Sequence, residues 1–194
     1  MTDVLTIAGS PSHPSRSAAV LAYARGYLQN YGLATDAIHV RELDARAVLT
    51  GNFDDPSIRD ASAKIKQARA VIVATPVYKA AYAGALKAFL DLLPQDGLAD
   101  KVVLPIATGG SPAHLLAIDY SLKPVLATLG AQTILNGVYI QDAQLQQANG
   151  EVVWFEPEIE KRLQGALGAL VKQLSSVAVN GFNLNQIAFA RQTA

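Results

Sequence analysis

With 194 residues, 51% of them hydrophobic and only 16% charged, the chain can bury one substantial core and lies far from the composition of a disordered protein. Sixteen Lys and Arg balance sixteen Asp and Glu, so there is no electrostatic footprint for nucleic acid or for an anionic membrane surface. There is no cysteine, and the three histidines, His13, His39 and His114, are dispersed; disulfides, thiolate metal sites and cysteine nucleophiles are excluded, and no metal centre is expected.

The opening MTDVLTIAGS carries no basic stretch and an apolar run too short for a signal peptide or a spanning helix, so a cytoplasmic location is expected. Val4 to Ala8 reads as a strand ending in Gly9-Ser10. Beyond a Ser/Pro-rich loop, Ser15 to Tyr31 places Val20, Leu21, Ala24 and Leu28 at helical spacing. Thr35 to Val40 is a second strand, and Pro56 to Gln67 a helix with proline well placed as its first residue. The apolar run Ala70 to Thr75 is a central strand. Gly84 to Leu93 is the next helix, stopped by Pro94. Val102 to Ala107 is a fourth strand in which Pro105, lacking a ladder donor, predicts a local break. Ser111-Pro112 caps and opens a helix running to about Leu129 with Pro124 inside it, in which His114 reads as a packed side chain rather than a catalytic one. Gln132 to Ile140 is a fifth strand, and Glu156 to Leu174 the last helix.

Strands alternating with helices predict an α/β domain over residues 1–174: a doubly wound, five-stranded parallel sheet with helices on both faces, for which 2-1-3-4-5 is one of two common strand orders. Residues 175–194 form a C-terminal tail whose Phe182, Leu184, Ile187 and Phe189 can dock on a neighbouring subunit or fray. In that order ligands sit beyond the carboxyl ends of strands one, three and four. The segments there are Gly9 to Ser17, Pro76 to Tyr82 and Thr108 to Ser111.

The first of them gathers hydroxyls and one guanidinium between a strand and a helix, a composition that wraps phosphate and equally fits a turn capped by Ser15. It is neither a Walker loop nor a GxGxxG fingerprint. The second holds Tyr78 and Tyr82 with small residues between, either a flat ledge for a ring or a loop with exposed tyrosines. The third, Thr108-Gly109-Gly110-Ser111, permits close backbone approach before a helix, a common and weak signal alone.

Taken together, Gly9-Ser10-Pro11 with Pro14 to Ser17, the run Ala74 to Lys87, and the run Leu104 to Leu126 resemble the NAD(P)H-dependent FMN reductase family of flavodoxin-like proteins. The likeness is closest to the branch that supplies reduced flavin for sulfur acquisition from alkanesulfonates. It implies a flavodoxin-like fold, FMN and NADPH (or NADH) as cofactors, an FMNH2-dependent monooxygenase as partner, and a homotetramer. Carried over by position, it puts Ser10, Ser15, Arg16 and Ser17 on the phosphate, Pro76, Val77, Tyr78 and Tyr82 on the isoalloxazine, and Thr108, Gly109 and Gly110 beside its pyrimidine edge. Ser12 stands where the family usually has a basic residue, leaving Arg16 as the cation of the loop. Lys79 and Ala83 replace the more usual Asn and Pro. In the resembling branch the position of Tyr120 lies in an inserted π-type turn at a tetramer interface near the flavin; a half-buried interface tyrosine is the simpler reading.

The implied reaction is hydride transfer from nicotinamide to FMN handled as a dissociable substrate. Its chemistry resides in the two cofactors, so no side-chain acid or base is obligatory and Tyr78, Tyr82 and Tyr120 are positioning residues. The rival readings are an FMN-containing quinone or azo reductase, a non-catalytic flavodoxin-like electron carrier, which the zero net charge disfavours, and an assembly protein without flavin.

Overall fold

Each apolar run identified as a central strand is buried on both faces, and the residues alternate between two cores. The computed structural model describes residues 2–180. In β1 (Val4–Ala8) and β3 (Ala70–Tyr78), Leu5, Ile7, Val71 and Val73 point to one face of the sheet, and Val4, Ala8, Ala70, Ile72 and Ala74 to the other. The first face is covered by α2 (Ala45–Thr50), α3 (Pro56–Gln67), α4 (Gly84–Leu90) and α5 (Lys123–Thr128), which contribute Ala47, Ile58, Ile65, Leu86, Phe89, Leu90 and Leu126. The second face is covered by α1 (Arg16–Asn30) and α6 (Pro157–Asn180) through Val20, Leu21, Leu28, Leu163, Leu167 and Leu170. Completely buried Phe89 is representative; truncating such a side chain to alanine costs about 3–5 kcal/mol.

The long pairings of the central sheet are parallel. β2 (Thr35–His39) lies beside β1, β1 beside β3, and β3 beside β5 (Val102–Gly109), with Val4 opposite Ala70 and Ala70 opposite Val102. The fifth position is occupied by β6 (Thr133–Ile134) and β7 (Val138–Gln141), two pieces of one interrupted strand. Counting them once, the order is 2-1-3-4-5, as expected.

The break expected at Pro105 falls on the neighbouring strand. Pro105 stays inside β5, paired with Val73, while β6 and β7 resume on either side of it. Val103 accepts a hydrogen bond from Leu135 at 2.8 Å, so Pro105, two residues on, faces the same neighbour with no N–H to offer. Gly137 fills the gap: a Cβ there would lie 2.6 Å from Ile118 Cγ2 and 3.1 Å from the Pro105 carbonyl oxygen.

Three other expectations change, and a hairpin appears for which there was none. The helix expected over Ser111 to Leu129 is three pieces: a 3-10 turn at Pro112–His114, a π turn at Ile118–Leu122, and α5. The helix expected to Leu93 ends at Leu90, and its apolar residues Leu86, Phe89, Leu90, Leu92 and Leu93 are all absorbed by the core of the same chain. An antiparallel hairpin, β8 (Leu145–Ala148) and β9 (Glu151–Phe155), turns at Asn149-Gly150, both with positive φ. The last helix runs past Leu174 to Asn180; Phe182, Leu184, Ile187 and Phe189 of the expected tail lie outside the described residues.

Candidate active site

The carboxyl ends of β1, β3, β5 and β7 converge on a cavity of about 280 Å³ lined by Ser10, Ser12, Pro14, Ser15, Arg16, Pro76, Val77, Tyr78, Thr108, Gly109, Gly110 and Asp142. Nine of the eleven residues assigned from the sequence to cofactor binding are in that lining; Ser17 and Tyr82 are not. A larger cavity of about 690 Å³ opens at the opposite end of the sheet, where β3 and β5 begin. Two of its cations are already engaged: Lys101 donates to the Lys66 and Ala68 carbonyls at the end of α3, and Arg69 to Asp3 and to the Leu174 carbonyl. Burial lowers the Lys101 pKa, with Asp100 opposing it. That end closes a helix and a chain crossing, and the chemistry-bearing groups lie at the other.

The first loop starts where β1 ends. Gly9 donates to the Ala74 carbonyl at 2.8 Å, and a Cβ at Gly9 would come within 2.8 Å of Leu86 Cδ2, so only glycine lets α4 seat against the loop. Ser12 N–H donates to Ser10 Oγ at 3.2 Å, folding the loop back on itself. Ser15 caps α1, accepting from Ala18 N–H at 3.3 Å, and also lines the cavity. Ser17 is buried behind it, its hydroxyl 3.0 Å from that of Ser15.

Arg16 is the first residue of α1, whose first turn contains no acid. Its guanidinium reaches across the cavity mouth to Asp142, Nη1 to Oδ2 3.5 Å, an aspartate that follows the end of β7. A second guanidinium also meets the loop. Arg41, just beyond β2, donates to His13 Nδ1 and to Glu42 Oε1. Reading the loop alone gave it one cation; the fold brings it another from twenty-five residues downstream.

The second segment is not an irregular loop. β3 continues through Pro76, Val77 and Tyr78, turns at Lys79 (φ 49) and Ala80 (φ 64), and returns as β4 (Ala81–Tyr82). Two consecutive positive φ values make a two-residue hairpin of the type that favours Asn-Gly, here built from Lys-Ala. Buried Thr75 fixes its base, accepting from Ala83 N–H and donating to the Pro76 carbonyl, each at 3.0 Å. Tyr78 sits at the half-exposed tip beside the cavity. Tyr82 pairs with Val77 but turns into a crevice with Thr75, Ile118 and Leu122, and burial raises its phenol pKa.

The third segment is the end of β5, where Thr108 lies in register with Pro76. Tyr139 of β7 passes beneath Gly109 and donates to the Ser111 carbonyl at 2.6 Å, and burial raises its pKa, with Asp142 adding to the shift. Ser111 Oγ accepts from Ala113 N–H at 3.2 Å and starts the expected cap. Tyr120 does sit in a π turn but lies outside the cavity, 80% exposed, beside the exposed Leu115 and Leu116.

The residues assigned singly from the sequence left out Ser12 and Pro14, though both lie in the Gly9 to Ser17 segment, and Asp142 was missed. Asp142 carried a usable signal, since the predicted order sets the end of strand five beside Gly109 at the end of strand four. No group of three or more potential metal ligands occurs among the described residues, and no helix among them is long and apolar enough to cross a membrane.

Comparison with known proteins agrees with this geometry. Residues 2–146 match the family model of the NADPH-dependent FMN reductases. The chain is 49% identical over 166 residues to an FMN reductase (NADPH) of Escherichia coli strain K12, covering 84% of this chain and 85% of that one. It is 46% identical over 165 residues to an FMN reductase (NADPH) of Pseudomonas putida KT2440, covering 84% of each. Among solved structures, an NADH:FMN oxidoreductase in its apo form superposes with a TM-score of 0.80 at 38% identity over 88% of both chains.

Proposed function

The chain belongs to the NADPH-dependent FMN reductase family and is an NAD(P)H-dependent FMN reductase, and we propose that it takes FMN as a dissociable substrate and supplies the reduced flavin to an FMNH2-dependent monooxygenase. The convergence of three separate segments on one polar cavity carries the assignment of residues. Ser10, Ser12, Ser15 and Arg16 would hold the phosphate, with the amino end of α1 adding its dipole. Pro76, Val77 and Tyr78 would support the ring, and the backbone at Thr108, Gly109 and Gly110 would meet its polar edge. These residues fit the group: hydroxyls and a cation stand at one end of the cavity, and two glycines leave backbone uncovered at the other.

Bound flavin supplies the hydride acceptor. The protein's part is to position and to exclude water, so no acid or base is asked of it. Ser17 supports Ser15 from behind, and Tyr82 holds the hairpin against the π turn. Residues 1–174 would suffice for this work, in the cytoplasm, where nicotinamide nucleotides are plentiful. Resemblance to the alkanesulfonate branch supports sulfur acquisition as the setting. Exposed Leu115, Leu116 and Tyr120 support a homotetramer assembled on that segment.

The test is NADPH and NADH oxidation with and without added FMN, FAD and riboflavin, together with the flavin content of the purified protein. Oxidation that depends on added FMN is expected. One non-exchanging FMN per chain would overturn the substrate reading.

A further inference from the structure

The cavity contains one carboxylate, and it stands where a phosphate is to be bound. Asp142 Oδ2 is 3.5 Å from Arg16 Nη1, and a Cβ at Gly110 would lie 3.8 Å from the same oxygen, so the carboxylate sits between the cation and the glycine turn. Its turn does not require it. Gln141 N–H donates to Gln144 Oε1 at 2.9 Å, and Gln144 Nε2 donates to Glu156 Oε2 at 2.7 Å, which holds the chain here without Asp142. Among the described residues its ion-pair partner is Arg16. The side chains of the pair are 48% and 40% exposed, so solvent screens the attraction and the guanidinium is held without being trapped.

An anion arriving at Arg16 must share the guanidinium with Asp142 and endure its repulsion. We propose that Asp142 sets the exchange rate of FMN: it competes with the phosphate for Arg16 and so keeps the flavin a substrate instead of a prosthetic group. This rests on the placement of the phosphate at Ser10, Ser12, Ser15 and Arg16. Asp142 acts on binding and release, and it takes no part in hydride transfer.

The effect has a calculable size. A carboxylate about 6 Å from a phosphate bearing one to two charges, in a water-like dielectric, weakens binding by roughly threefold to tenfold. Asp142→Asn in the full chain should tighten FMN by that factor in a fluorescence titration and slow its release in stopped flow to a similar extent. Riboflavin, without a phosphate, should change less than twofold, and the gain for FMN should shrink as salt is raised. Asp142→Ser should move FMN in the same direction, guarding against an accident of the asparagine side chain. Unchanged or weaker FMN binding in both variants, or equal tightening of riboflavin, would overturn the proposal. Arg16→Ala, run beside them, separates the two ideas. Selective loss of FMN with silent Asp142 variants leaves the phosphate placement standing and removes the role of Asp142; equal loss of both flavins removes the placement itself.

Discussion

Gly109→Ala tests whether the glycine turn is shaped by what lies under it. A Cβ at Gly109 would come within 2.6 Å of Tyr139 Oη, 3.4 Å of its Cζ and 3.5 Å of Val77 Cβ. The phenol has no easy retreat, since it is buried and its hydroxyl donates to the Ser111 carbonyl at 2.6 Å. Moving it forfeits that hydrogen bond, about 0.5–1.5 kcal/mol net, and repacks the ring at about 1–3 kcal/mol. A loss of about 2–4 kcal/mol is expected in urea unfolding. Tyr139→Phe removes the atom that clashes most, leaving the 3.4 Å approach of the ring carbon. In that background Gly109→Ala should cost less than half as much, a coupling of about 1–2 kcal/mol. Additive losses, with coupling below about 0.5 kcal/mol, would refute the reasoning and leave ligand approach as the reason for glycine.

Replacing Lys79-Ala80 by Asn-Gly should stabilise the protein by about 0.5–2 kcal/mol, because both residues hold left-handed backbone that Asn and Gly adopt at lower cost; a lower urea midpoint would count against strain in this hairpin. His39 is buried enough to depress its pKa, with Arg41, Arg25 and His13 adding to the shift and Glu42 opposing it. The unfolded chain then takes up a proton that the folded one resists. Its contribution to stability is therefore complete above about pH 6.5 and is lost as the pH falls through the lowered value; His39→Gln should flatten that part of the stability profile, and an unchanged slope would exclude it. Leu116→Glu places a charge on the exposed apolar stretch with Leu115 and Tyr120 and should weaken self-association at least tenfold in sedimentation; an unaltered assembly would move the interface elsewhere.

The parts of the fold legible beforehand are those whose periodicity reports burial. Ala70 to Thr75 could only be a central strand, and Pro56 with its Asp55 cap could only open a helix. The Asn149-Gly150 hairpin was legible too, by the strongest short turn signal there is, yet the exposed Val153 and Trp154 break the alternation that normally frames it. Lys79-Ala80 gave no such signal, since tertiary contacts at Thr75 override local preference there. Pro105 announced a missing donor but not which neighbour would yield. Of the site, the three segments could be read because each is local in sequence. The pairings of Arg16 with Asp142 and of Arg41 with His13 could not, because each joins side chains far apart in sequence that only the finished sheet brings together.

The interrupted fifth strand bears on solubility. The far edge of an open sheet presents unpaired N–H and C=O groups, a template on which a stray chain can polymerise. Here that edge is cut into runs of two and four residues, β6 and β7, by the gap at Gly137 into which Ile118 is wedged. Neither run is long enough to recruit a strand in register. The proline that cost β5 a ladder hydrogen bond thus spares the protein an aggregation-prone margin, on the same side of the sheet that the π turn covers.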